Sequence, residues 1–232
     1  MKLEPLDILF EDNHCLAIAK PCGIACAHFQ GEEQTLDRQV KEYLKDKYRK
    51  AGNVFLGIVH RLDKPVSGVM LFARTSKSAA RLSEQFREGT IDKIYWAVVE
   101  GTLAKDAGSL EHWLRKNQET HRVDVLEPHA DGAKQALLHY QRKAIDGAVS
   151  WVEIRPQTGR THQLRVQLAH HGHPIYGDSR YGSIRTFGRG IALHARALTF
   201  LHPIRYEPIT LTASLPHDWH VRFAPLMNEA QR

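Results

Sequence analysis

Hydrophobic positions in this chain fall into short runs separated by turn-forming residues, and their spacing shifts between strand and helix periods. Asp7–Phe10 and Cys15–Ala19 read as extended segments that end at the turn Lys20-Pro21-Cys22-Gly23. Leu36, Val40, Leu44 and Tyr48 recur at helical spacing, which predicts a helix capped by Thr35 or Asp37 and stopped by Gly52. Ser67–Ala73 is a continuous apolar run of strand length, too short for a buried helix. A second helix is expected from Ser76 as cap to Gly89, with Ala79, Leu82 and Phe86 facing inward. Ile94–Glu100 is rich in β-branched and aromatic residues and reads as a strand on which Tyr95 and Trp96 face opposite sides. Further on, Arg122–Leu126, Gln135–Arg142 and Ser150–Arg155 read as antiparallel strands, with Asp146-Gly147 as a hairpin turn. A third helix spans Thr161–His171, carries Leu164 and Leu168 on one side and closes at Gly172. Strands return at Ala195–Leu201 and Ile209–Ala213.

Strands in long irregular succession with about three helices between them imply an α+β fold around a mixed sheet. No repeat, low-complexity tract or Pro/Ser-rich linker divides the chain, so residues 1–232 are expected to form a single domain. The regular strand–helix alternation and glycine-rich phosphate loops of nucleotide-driven enzymes are missing from the sequence.

Composition sharpens this picture in three places. The chain has 232 residues, 42% hydrophobic and 25% charged, as an ordinary globular protein has. No apolar run is long enough to span a membrane, and Met1–Asp7 carries acids and a proline where a leader peptide would be apolar, so the expected compartment is the cytoplasm. Lys and Arg exceed Asp and Glu by 32 to 26, a net charge of +6, and that surplus favours a polyanionic partner. Cys15, Cys22 and Cys26, an odd count, argue against a disulfide framework. With His14 and His28 they could suggest zinc, but the spacing follows no established zinc pattern, and buried thiols are the expected outcome.

Three segments could carry chemistry. In His60-Arg61-Leu62-Asp63-Lys64-Pro65-Val66-Ser67-Gly68, a carboxylate sits between two cations ahead of a buried strand. The cations favour an ionised Asp63 and offer phosphate contacts, although the same pattern suits a surface ion pair in a turn. Arg155-Pro156-Gln157-Thr158-Gly159-Arg160-Thr161-His162-Gln163-Leu164-Arg165 sets arginines, a histidine and threonines around a glycine turn at a helix start, a natural place for phosphate. An arginine-rich solvated helix start is the plainer alternative. His170-His171-Gly172-His173, with His194 elsewhere, suggests metal, but no His-x-x-x-His pair with an interposed acid is present and Asp178 stands alone; histidines closing a helix are the expected account.

Taken together these segments resemble the RluA family of pseudouridine synthases. The resemblance runs from Lys20-Pro21-Cys22-Gly23 to Ala192-Leu193-His194-Ala195-Arg196, and rests on two long motifs: His60–Thr75, and Arg155–Leu168 continuing into Gly172–Asp178. It implies the pseudouridine synthase fold: a mixed, largely antiparallel central sheet flanked by helices and loops, with a central RNA-binding cleft. It also implies roles residue by residue. Asp63 matches the catalytic aspartate, and Arg61 the arginine that enters the RNA stack where the target base has left. Tyr95 matches the tyrosine that packs on the flipped base and is a candidate for removing its C5 proton. Arg165 matches the basic residue that pairs with the catalytic carboxylate, and Leu164 the apolar residue lining that pocket. Arg160 and His162, in the same basic motif, are expected to contact the RNA. The S4 RNA-binding domain that precedes the catalytic domain in many members has no counterpart in this sequence, and residues 102–149 fit no assignable motif.

The implied reaction breaks the N1–C1′ bond of uridine, turns the uracil and joins C5 to C1′. It involves no net oxidation, hydrolysis or group transfer, so no cofactor and no metal is expected. The expected partner is RNA, ribosomal or transfer, with no membrane; a monomer suffices. Two rivals predict different behaviour: a noncatalytic RNA-binding module on the same fold, which never forms product, and a metal-dependent hydrolase using His170–His173, which would carry stoichiometric zinc.

Overall fold

The computed structural model describes residues 5–27 and 34–229; His28 lies outside them. Its elements in chain order are β1 (Ile8–Glu11), β2 (Cys15–Lys20), α1 (Leu36–Lys47), β3 (Gly57–Ile58), β4 (Ser67–Ala73), α2 (Ser76–Glu88) and β5 (Asp92–Glu100). Then follow β6 (Ala107–Lys116), β7 (Val123–Leu126), β8 (Lys134–Asp146), β9 (Val149–Pro156), α3 (Gln163–His170), a 3-10 turn (Ser179–Tyr181), β10 (Leu193–Leu201), β11 (Pro208–Thr212), α4 (His217–Arg222) and α5 (Ala224–Glu229). The fold is α+β. By chain contacts it divides into two compact units: Met1–Asp92 with Ala195–Ser214, and Lys93–His194 with Leu215–Arg232.

In the first unit, β1, β2 and β4 form an antiparallel ladder, β3 pairs with β4, and β11 pairs antiparallel with β10. Strand alternation selects one face of this ladder. Cys15 and Ala17, Val69, Leu71 and Ala73, Leu198 and Phe200, and Leu211 and Ala213 form one core with Leu82 of α2 and Ile91. Leu16, Ile18, Met70 and Phe72, on the opposite face, are also fully buried. A run buried on both faces has no reason to alternate, and this is why Ser67–Ala73 is apolar throughout. Gly68, at φ +119°, is the second residue of that strand; a Cβ there would lie 2.2 Å from the Ala195 carbonyl oxygen, so the position takes glycine alone.

The helix ends show where local signals compete. Thr75, one residue before the expected Ser76, caps α2: its hydroxyl accepts the Ser78 N–H at 3.2 Å, and Gly89 closes the helix in the left-handed conformation. Tyr48, expected on the buried stripe of α1, is instead the exposed C-cap residue. Its ring carries the Arg74 guanidinium 4.6 Å from the centroid, and its hydroxyl donates to Glu11 at 2.6 Å.

In the second unit, β5, β9, β8, β6 and β7 lie in that order, all antiparallel. Asp146 pairs with Val149 across the expected Gly147 hairpin. The sequence reading missed β6, whose residues alternate Leu110 and Leu114 inward among charged neighbours, and it missed α4 and α5, which are only six residues each. Phe223 stacks on Phe187 and meets Tyr176 edge-on, and Trp219 of α4 meets Phe187 and Phe223 edge-on, a ring cluster whose members are far apart in sequence. The helix expected at Thr161–His171 is α3, and it is buried on all sides from Gln163 to Leu168 rather than along the Leu164–Leu168 stripe alone.

Candidate active site

Asp63 lies in the loop that leads into β4, half-buried, between exposed Arg61 and Lys64. The loop closes as a turn, with the Val66 N–H donating to the Asp63 carbonyl at 3.0 Å. What holds it is Lys20 at the end of β2, only 1% exposed. Its ammonium donates to the carbonyls of Val66 at 2.6 Å, Pro21 at 3.0 Å and Lys64 at 3.2 Å. Burial pushes this amine down to about 8, against the opposing pull of Cys26, Cys22 and Asp63. On the other side of Asp63, the buried Leu62 exchanges two contacts with Cys26: its N–H donates to the sulfur at 3.3 Å, and the thiol donates to its carbonyl at 3.0 Å. His60, stacked on Phe86 at 4.6 Å, accepts the Leu71 N–H at 2.9 Å. Four backbone groups around one carboxylate, the carbonyls of Leu62, Lys64 and Val66 and the Leu62 N–H, are thus fixed by the buried side chains of Lys20 and Cys26.

The second unit carries the other candidates. Tyr95 on β5 pairs in register with Ile154 and is half-buried. Trp96 lies against Trp151 edge-on at 4.9 Å, and its indole N–H donates to Glu153 at 3.4 Å. Strand alternation therefore puts Tyr95 on the face away from these rings.

The loop before α3 is shaped by Gln163, whose side-chain Oε1 accepts the Thr158 hydroxyl at 2.8 Å and the Arg160 N–H at 2.9 Å. His162 takes a left-handed conformation at φ 49°, and its Nδ1 lies 2.7 Å from the Tyr181 hydroxyl. The three arginines expected at a shared phosphate site have separate partners. Arg155 bonds Glu153 at 3.0 Å, Arg160 donates to the Gln135 carbonyl at 2.9 Å, and Arg165 lies buried in α3. Leu164 beside it is buried as well.

Arg165 makes a two-pronged ion pair with Asp178, Nε to Oδ2 at 2.7 Å and Nη2 to Oδ1 at 2.8 Å, with Asp178 1% exposed. Its guanidinium also lies 5.2 Å from the centre of the Tyr181 ring. Asp178, a lone acid in the sequence, is therefore half of a buried ion pair in which neither side chain is more than 6% exposed. Sequence reasoning missed Lys20, Asp178 and Tyr181 as site residues. Their available signals were the Lys-Pro turn and the Gly177-Asp178 and Tyr181-Gly182 pairs, which mark tight turns without naming the partners they hold.

Two groups bear on metal binding. Asp12, Cys15 and His202 have ligand spacing. Yet Asp12 already accepts the backbone N–H of His14 and of Cys15, His202 Nε2 and Arg205 Nη1, at 2.7 to 2.8 Å. His202 Nδ1 accepts from the N–H groups of Ile204 and Arg205, so its proton sits on Nε2, and burial pushes the Cys15 thiol up to about 12. The group is a clasp between two turns. The histidines after α3 pack on one another, His112 on His170 at 4.9 Å and His171 on His173 at 5.7 Å. Burial and then the neighbouring imidazoles hold His112 and His171 below the ordinary histidine range.

The model of the RNA pseudouridylate synthase family matches residues 14–170, which include Lys20, Asp63, Tyr95 and Arg165. The chain belongs to that family. Ribosomal large subunit pseudouridine synthase D of Xylella fastidiosa is 37% identical over 230 residues, covering 92% of this chain and 67% of the relative. tRNA pseudouridine synthase C of Haemophilus ducreyi is 34% identical over 237 residues, covering 94% of each chain. An RNA pseudouridine synthase of Synechocystis is 34% identical over 91% of this chain, which spans 66% of that protein's length. The pseudouridine synthase fold is matched by human RNA pseudouridylate synthase domain containing 4, with TM-score 0.78, 23% identity and coverage of 97% and 93%. The human domain containing 1 gives TM-score 0.74 at 23% identity, over 100% and 98%. Among the described residues no helix is long and apolar enough to cross a membrane.

Proposed function

We propose that this pseudouridine synthase isomerises particular uridines of structured RNA, ribosomal or transfer, with Asp63 as the catalytic carboxylate. The observation that carries the reading is the family match over residues 14–170, with an aspartate at its motif position in a loop braced from beneath by a buried ammonium. The names of the relatives, acting on large-subunit rRNA or on tRNA, support RNA as the substrate class.

In this reading Asp63 either attacks C1′ of the target uridine or takes a proton from its sugar, and the N1–C1′ bond breaks. The uracil turns, C5 bonds to C1′, the C5 proton leaves to Tyr95, and N1 gains a proton. Atoms and electrons balance within the nucleoside, so the chemistry calls for no cofactor. Arg165 offsets the charge of the carboxylate, and Leu164 keeps its surroundings apolar. Flipping a stacked base costs a few kcal/mol, and stacking on an aromatic returns roughly 1–3 kcal/mol, which makes Tyr95 a sufficient platform. Arg61 fills the vacated place in the stack, and Arg160 and His162 hold phosphates.

The test is mass spectrometry of pseudouridine-labelled total RNA from cells with and without the gene. A mark that vanishes in the deletion, returns with wild-type protein and stays absent with Asp63→Ala establishes activity and target together. A set of marks identical in all four strains, and no product from purified protein on RNA transcripts, would leave the noncatalytic RNA-binding module as the better account.

A further inference from the structure

Residues 102–149 matched no motif, yet β7 within them forms one wall of a cavity of about 290 Å³ whose other wall is α3. Val123 and Val125 pack with Val166 and Ala169 at its base, and Tyr181 closes one end. Arg122 stands at the rim with its guanidinium 5.4 Å from the centre of the Tyr181 ring, and His170 lines the opposite side. The same ring meets Arg165 at 5.2 Å, while its hydroxyl accepts the Val123 N–H at 3.0 Å and contacts His162 at 2.7 Å. Burial pushes that phenol up, so it remains a neutral hydrogen-bonding group.

This chemistry selects its occupant. The cavity lies just below the usual ligand-pocket range of about 300–1,000 Å³, room for one base with its sugar and little more. The part-exposed Val125 and Ala169 offer apolar contact to the face of a base, and the exposed Arg122 guanidinium beside an aromatic ring suits base stacking or a phosphate. The acid at the rim, Asp124, lies opposite Arg115 in strand register, so it stands across from a positive charge. We propose that this cavity is a second nucleotide-binding site, taking one unpaired nucleotide of the substrate RNA outside the reacting uridine. The site rests on the reading of the chain as an RNA-acting enzyme, and deepens it: residues 102–149 then contribute to target choice through Arg122 and β7. It also links that choice to Arg165, because one ring, Tyr181, forms the end wall of the cavity and the packing surface of the arginine.

The experiment is amide NMR on the ¹⁵N-labelled full chain, titrated separately with UMP, CMP, AMP and GMP, with inorganic phosphate as the comparison. Expected are saturable shifts at Val123, Val125 and Ala169 with dissociation constants in roughly the millimolar range, as befits one nucleotide. Ala169→Phe fills the cavity without touching a charge and should weaken them about tenfold. Arg122→Ala should weaken them by about threefold or more, and should raise KM for RNA with kcat at saturation unchanged. Should the filled variant unfold, the Arg122→Ala result alone decides. Absence of saturable shifts, nucleotide affinities unchanged by both variants, or equal shifts from phosphate alone would each overturn the proposal. Because nucleotide binding is read without turnover, its failure leaves the synthase reading standing, and an inactive enzyme that still binds nucleotide here would sink only the latter.

Discussion

Replacing Lys20 by Met tests whether a buried ammonium positions the Asp63 loop. The amine is 1% exposed and burial brings it from 10.5 to about 8. A drop of that size corresponds to about 3 kcal/mol of folding free energy withheld at neutral pH, where both states are largely protonated. The sign is that of a cation disfavoured by folding. Between about pH 8 and pH 10.5 the unfolded chain still binds a proton that the folded protein has released, so stability rises with pH across that window. Wild type should gain about 2 kcal/mol on the Met variant between pH 7 and about pH 9.5, in urea unfolding run at matched ionic strength. Other alkaline groups, such as the Cys15 thiol, are common to both proteins and cancel in the difference.

The same substitution removes the donor to three carbonyls, those of Pro21, Lys64 and Val66. Each buried acceptor left without it costs about 1–3 kcal/mol, a total that equals or exceeds the relief from removing the charge. Lys64 keeps the Gly23 N–H at 2.8 Å, so the loop is loosened on the Val66 side first. The Met variant should therefore fold with equal or lower stability at pH 7 and lose most of its turnover on RNA. Stability curves for the two proteins that run parallel from pH 7 to about pH 9.5 would refute the buried-ammonium argument. A Met variant that turns over at the wild-type rate would refute the bracing role, whatever its stability.

Other expected outcomes follow from single contacts. Asp178→Asn removes the carboxylate from a buried Arg165 and should destabilise the protein by about 3–5 kcal/mol in urea unfolding, against under about 1 kcal/mol if the pair is dispensable. Gly68→Ala places a Cβ against the backbone of Ala195, which cannot yield as a side chain can; a loss of about 3 kcal/mol or more is expected, and an unchanged Tm would contradict the geometry. Burial alone would push the Asp12 carboxyl up, but the N–H groups of His14 and Cys15, then Arg205 and His202, bring it down from 3.8 to about 2. Its stabilisation is thus present above pH 3.8 and lost as pH falls toward about 2, some 2 kcal/mol in all, and an acid-unfolding series should show that slope in wild type and not in Asp12→Asn.

Most strands and the first two helices were legible because their signals are local: β4 and the Gly89 stop lie where the apolar run and the glycine put them. What escaped was set by distant partners. The all-round burial of α3 is invisible to a periodicity argument because Gln163 and Gln167 read as polar. In the fold Gln163 bonds the Leu137 carbonyl at 3.1 Å, and Gln167 bonds those of Leu110 at 2.9 Å and Ala136 at 3.1 Å. Buried amides that donate to strand carbonyls look like surface residues in a sequence. The same holds for Arg155, Arg160 and Arg165, neighbours in one motif whose guanidinium groups turn to separate partners 2 to 25 residues away.

These distant partners share one physical logic. In the first unit a buried cation, Lys20, is held by three carbonyl dipoles that shape the turn carrying Asp63. In the second unit a cation in a helix, Arg165, is held by a carboxylate and a ring contributed by the segment just after it. Both cations are almost fully buried, and a buried charge tolerates little movement because any shift leaves it partly unpaired in a low dielectric. A reaction that must separate a base from its sugar and rejoin it at another atom benefits from groups that do not relax while the intermediate turns. Conservative changes at Lys20 or Asp178 should accordingly impair turnover more than changes of equal thermodynamic cost in the Cys15–Leu71 core, where packing loss leaves the loop and the helix in register.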